Sequence, residues 1–162
     1  MCILKQNNSK ETQSKLLGRI YFTFSNWFGL WNLQGLDYSS GVWQFEGYGF
    51  VPNGTSGVTV AQIHGASHGA TTLILRIYDG NMRYYSGDLV ATDLYDKWFR
   101  LNIIHDVDGG RLTVFIDGEE RYSTHDQGPG DLYFKCGVYA APRNISYYME
   151  SRWRDIKIYK KW

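Results

Sequence analysis

From about residue 37 onward the chain repeats one plan: a short run in which apolar and polar side chains alternate, then a turn built from Gly, Asn or Asp. Successive side chains of a strand point to opposite faces, so each run presents one apolar face that a second sheet has to cover. The clearest case is "YFKCGVY", residues 133 to 139, where Phe134, Cys136 and Val138 fall on one face and Tyr133, Lys135, Gly137 and Tyr139 on the other. The other runs are "GVWQFEGYGFV", "GVTVAQIH", "TTLILRIYD", "MRYYSG", "KWFRLNIIHD", "RLTVFIDG", "EERYSTH" and "YMESRWRDIKIYK". Turn chemistry separates them: "DGN" at 79 to 81 and "DG" at 117 and 118 suit tight hairpins, and "DVDGG" at 106 to 110 links two long strands. No segment after residue 37 holds a 3.6-residue apolar period over ten positions. The pattern predicts an all-β antiparallel sandwich or barrel.

A chain of 162 residues suffices for one domain with a continuous core. The first 36 residues differ from the rest, with a polar start followed by "LLGRIYFTFSNWFGLWNLQG". Residues 1–36 are therefore set apart as an atypical amino-terminal segment, and 37–162 as a single β domain. Lys plus Arg is 17 against 16 acidic residues, which gives no bulk charge for nucleic acid or an anionic membrane. No apolar run approaches the ~20 residues of a membrane span. The start "MCILKQNNSKETQSK" lacks the form of a signal peptide, whereas Asn7, Asn53 and Asn144 fit the glycosylation rule. Two cysteines, Cys2 and Cys136, make no disulfide framework. A monomer is expected.

The strand "VTVAQIH", residues 58 to 64, sorts by parity into Ala61 and Ile63 on one face and Val60, Gln62 and His64 on the other. A solvated face is the ordinary explanation of such polarity. The combined set from both strands is more pointed: an amide, an imidazole, an ammonium and two phenols suit a carboxylate-bearing sugar polymer. Removing the proton beside a uronate carboxylate requires that carboxylate to be neutralised by donors or a cation. A base then takes the proton and an acid protonates the departing glycosidic oxygen, roles open to His and Tyr. Neither a metal nor an organic cofactor is required. Aromatic residues, 17% of the chain, offer sugar-stacking faces as well as core.

Other constellations are weaker. Asp106 and Asp108 have a spacing found in calcium loops, but a hairpin turn explains them. Glu46 and Glu150 could be read as a glycosidase pair, although carboxylates on half-wet strands are ordinary.

"QIH" at 62 to 64 and "YFKCGVY" at 133 to 139 resemble the paired motifs of the alginate-lyase-2 superfamily, whose second motif usually reads YFKAGxY. The runs "YSSGVWQFEGYGFVPNGTSGV", "YDKWFRLNIIHDVD" and "YMESRWRDIKIYK" look most like its plant citrate-binding-protein branch. The resemblance covers roughly residues 37 to 160. It implies a concanavalin-like jelly-roll β-sandwich with a concave groove, and a secreted, cell-wall or vacuolar location. It also implies roles: Gln62 as carboxylate neutraliser, His64 as base or carboxylate partner, Tyr139 as acid and often also base, and Lys135 as substrate contact, with Tyr133 beside it.

One motif is missing. Catalytic relatives carry an amino-terminal strand of the form R-[ST]-E-[LIV]-R, and here "FSNWFGLWNLQG" precedes "LDYSSGVWQF". The usual Asn-Gln after the last tyrosine is Ala140 and Ala141. The gap implies a truncated or altered amino-terminal segment. Arg76, on the Ile74 and Tyr78 face of its strand, is the candidate substitute, and Arg19 a second. Loss of one preorganised donor costs on the order of 10²–10³ in rate. The expected function is binding of an acidic polysaccharide, uronate oligomer or citrate, with β-elimination weakened; a non-catalytic citrate binder is the alternative.

Overall fold

In the computed structural model each alternating run becomes a strand, and the described residues are 14–20, 29–32, 36–139, 145 and 149–161. Numbered in chain order, one sheet has the spatial order β1 (Ser14–Ile20), β12 (Arg152–Lys161), β3 (Val42–Phe50), β8 (Trp98–Asp106), β9 (Arg111–Ile116) and β10 (Glu119–His125). The second runs β2 (Gly29–Asn32), β11 (Gly130–Tyr139), β4 (Val58–Ala66), β5 (Thr71–Tyr78), β6 (Asn81–Tyr84) and β7 (Leu89–Ala91). Every strand pair is antiparallel. Strand β7 has too few residues to show alternation, and its sequence gave no sign of it.

The Asp-Gly turns act as their chemistry predicts. Asp79 and Gly80 have φ of 49° and 80°, the paired left-handed geometry of a two-residue hairpin, so Ile77 faces Met82 and Arg76 faces Arg83. The core lies between the sheets. Phe45, Phe99, Leu101, Ile103 and Ile158 enter from one side, and Ile63, Leu73, Leu75, Ile77 and Phe134 from the other. Cys136 is buried and free; burial pushes its thiol up to about 12, which makes it inert packing. Cys2 lies outside the described residues.

One polar chain runs into this core. His105 is fully buried, with Nδ1 3.0 Å from the Tyr38 hydroxyl and Nε2 3.1 Å from Asp126 Oδ2. A carboxylate only accepts, so Nε2 carries the hydrogen and Nδ1 accepts from Tyr38. The Tyr38 ring stacks on Trp43 with centroids 4.8 Å apart.

Carboxylates that invited other readings are engaged structurally. Asp106 accepts from the Gly109 amide and Asp108 from the Gly41 amide, both at the β8–β9 turn. Glu46 holds Lys157 at 3.1 Å, and Glu150 pairs with Arg152. Among the described residues no helix is long and apolar enough to cross a membrane.

Candidate functional site

The outward face of the second sheet collects the polar residues of four neighbouring strands. Phe134 and Cys136 of β11 sit opposite Ile63 and Ala61 of β4 on the core side, which turns Tyr133 and Lys135 outward, opposite His64 and Gln62. On β5, Leu73, Leu75 and Ile77 are buried, and Ile74, Arg76 and Tyr78 point outward. Gln62 pairs with Ile74, and Thr59 lies between Tyr139 on one side and Arg76 on the other. The face thus carries three cross-strand rows: Tyr133–His64, Lys135–Gln62–Ile74, and Tyr139–Thr59–Arg76.

Strict parity fails at one point. Parity puts Val60 beside Gln62 and His64, yet Val60 is fully buried in the apolar cluster and Thr59 takes the outward position. The reason is a register shift between Thr59 and Ala61 in the β4–β5 ladder. A bulge of this kind re-aims the side chains on either side of it. Here it brings the Thr59 hydroxyl within 3.3 Å of Arg76 Nε, which donates to it.

Local partners orient the remaining groups. The buried Gln62 amide donates from Nε2 to Thr71 Oγ1 at 2.8 Å. His64 Nδ1 lies 3.2 Å from the Tyr133 hydroxyl, and the two rings are tilted with centroids 5.4 Å apart. Lys135 Nζ sits over the Tyr133 ring at 5.0 Å. Burial first, and the Lys135 ammonium second, hold the His64 imidazole below its usual range. His64 is therefore neutral near pH 7 and able to accept a proton. In Lys135→Met the His64 titration, followed by NMR, is expected to move upward yet stay below that of a solvated histidine, because burial is the larger cause; an unchanged midpoint would remove Lys135 from the electrostatics of this site.

Not every predicted residue comes together. Tyr139 is 57% exposed and sits in the Thr59 row, five residues along β4 from His64, or roughly 16 Å at strand spacing. Arg19 lies on β1, in the other sheet. The strand flanking β11 on the side away from β4 is β2, Gly29–Asn32, which has no arginine. Ala140 and Ala141 fall outside the described residues. Conversely, Thr59, Thr71, Arg83 and Tyr85 belong to this face and were not singled out from the sequence. Arg83 was readable, since a two-residue Asp-Gly hairpin dictates that it faces Arg76; the threonines gave no signal. Among the described residues no group of three His, Cys, Asp or Glu side chains is arranged to hold a metal ion.

Comparison with known proteins is consistent with this framework. Solved structures with the same fold include the alginate lyase AlgAT5 of polysaccharide lyase family 7, with a TM-score of 0.60 and 18% identity over 74% of this chain and 59% of that one. The alginate lyase of Corynebacterium sp. aligns with a TM-score of 0.55 and 19% identity, over 78% of this chain and 59% of its own. At these identities they establish the jelly-roll fold. A protein of Hevea brasiliensis named citrate-binding protein is 58% identical over 128 residues, 79% of this chain and 54% of the relative. The chain thus spans about half the length of that relative. The family model described as alginate lyase, Alginate_lyase2, matches residues 29–160, and the chain belongs to that family.

Proposed function

We propose that the outward face of the second sheet binds the carboxylates of an acidic, uronate-type polysaccharide, with β-elimination slow or absent. The observation that carries the reading is the placement, on one face, of the partly exposed Lys135 and Arg76 with the amide of the buried Gln62, beside a neutral His64. Lys135 and Gln62 supply a cation and an amide for one carboxylate, Arg76 a guanidinium held in place by Thr59, and Tyr133 a sugar-facing ring. Elimination needs the uronate carboxylate neutralised by preorganised donors. The strand β2 beside β11 has no arginine to add to that task, so the set favours holding over cutting. The exposed sequon at Asn53 is compatible with a secreted, cell-wall or vacuolar single-chain protein.

Calorimetry with uronate oligomers, paired with absorbance of the unsaturated product, tests the proposal. Binding by the wild type is expected to weaken by roughly tenfold or more in Lys135→Ala, the range for one charge-assisted hydrogen bond. Whatever slow product forms should vanish in Tyr139→Phe. Unchanged affinity in Lys135→Ala would end the assignment. A second reading, a compact tricarboxylate ligand, is favoured by the identity with the Hevea protein named for citrate. Citrate binding with no uronate binding would select it.

A further inference from the structure

Beside the Lys135–Gln62 row, the same face carries two arginines directly opposite each other. Arg76 on β5 and Arg83 on β6 are cross-strand partners, and the residues flanking both, Ile77 and Met82, are fully buried, so the two guanidinium side chains share the outward side. Like charges in directly opposed positions destabilise a sheet. Such a pair is ordinarily relieved by a carboxylate between the two, yet among the described residues neither arginine has one within 4.0 Å. Their hydrogen bonds go to neutral oxygens: Arg76 Nε donates to Thr59 Oγ1, and Arg83 Nη1 donates to the Gly87 carbonyl at 2.7 Å. Each fork keeps further N–H donors for an outside acceptor.

From this we infer that Arg76 and Arg83 together form a second carboxylate subsite, so that the ligand is a chain of several uronates rather than one compact acid. The inference rests on the carboxylate-binding reading of the face. Arg83 stands three strands from Lys135, roughly 14 Å across the sheet at strand spacing. A single small tricarboxylate placed at Lys135 and Gln62 does not reach the Arg83 end, whereas a sugar chain lying across the strands presents successive carboxylates to both. The exposed Tyr139 ends the arginine row on β11, with the buried Thr59 between as the tether of Arg76, so the row spans four strands.

The experiment is calorimetry with a uronate monosaccharide, a uronate tetrasaccharide and citrate, on the wild type and Arg83→Thr, together with thermal melting of both. The wild type is expected to bind the tetrasaccharide at least about tenfold more tightly than the monosaccharide, and Arg83→Thr to lose that gain while binding the monosaccharide unchanged. Removing one of two opposed cations should leave the melting temperature the same or higher. A wild type that gains nothing with chain length, a variant that keeps the gain, or a variant that melts lower because Arg83 is a purely structural tether to Gly87 would each overturn the subsite while leaving the Lys135 site standing. A wild type that binds neither uronate overturns both.

Discussion

Gly65→Ala is expected to destabilise the protein by about 3–5 kcal/mol, seen as a melting temperature lower by roughly 8–16 °C. Gly65 closes the "QIHG" stretch at φ +104°, a backbone conformation costly for any residue with a Cβ. A Cβ there would lie 1.9 Å from the carbonyl oxygen of Asp131, and that oxygen belongs to backbone, which cannot swing away. The close approach occurs where the β4–β11 ladder shifts register between Gly130 and Tyr133, immediately before the pair Tyr133–His64. Forcing the strands apart at this point should also loosen the Tyr133 to His64 hydrogen bond, so the His64 NMR signal reports the same event. A variant that melts within 2 °C of the wild type, as a flexible loop glycine would allow, would show that the two strands do not pack this closely.

His105→Ala is expected to cost about 3–5 kcal/mol, because it strands a buried hydroxyl and a partly buried carboxylate as well as opening a cavity. Tyr38 is 3% exposed, and its hydroxyl and the Asp126 carboxylate both depend on the imidazole. Asp126 keeps the Gly128 amide, which partly satisfies it. The same histidine gives a pH dependence. Burial lowers its pKa in the fold and outweighs Asp126, which raises it. The folded state then binds fewer protons than the unfolded chain, whose histidine titrates near its ordinary 6.5. The contribution of His105 is therefore complete above that value and is lost as pH falls through the lowered pKa of the folded state. Chemical denaturation across pH 4 to 8 should show this decline in the wild type and a shallower one in His105→Gln; parallel curves would mean that the buried imidazole does not govern acid unfolding.

How far the sequence alone reached can be judged from individual strands. The alternation in "YFKCGVY" placed Phe134, Cys136 and Val138 inside and Tyr133 and Lys135 outside, and all five are found there. Burial of one face leaves a strand no freedom to slip by a single residue, so its pattern is legible without a partner. Arg76 was on the correct face of its own strand, but whether that face was shared with Gln62 depended on which strands became neighbours. The hairpin pairing of β4 with β5 joins Arg76 to the Gln62 face, and the pairing of β4 with β11, between residues some seventy positions apart, adds Lys135.

The bulge at Thr59 and Val60 was illegible for a different reason. Alternation is a property of a regular strand, and a register shift belongs to the pair, arising from how β4 accommodates β5. Thr59 became the anchor of Arg76 only because of that shift. His105 is similar: the sequence gives one histidine at the end of a long strand, and its two partners come from residues 38 and 126.

By itself, then, the sequence determined the class of fold, the hairpin registers set by Asp-Gly turns, and which side chains of each strand avoid water, because these follow from period-two geometry and local backbone preferences. Tertiary structure decided which outward faces merge, that the opposed Arg76–Arg83 pair lies beside Gln62 and Lys135, and that Tyr139 lies in a different row from His64. Those outcomes depend on the order in which strands pack, and strand order is settled by the collective burial of a core that no single stretch of the chain contains.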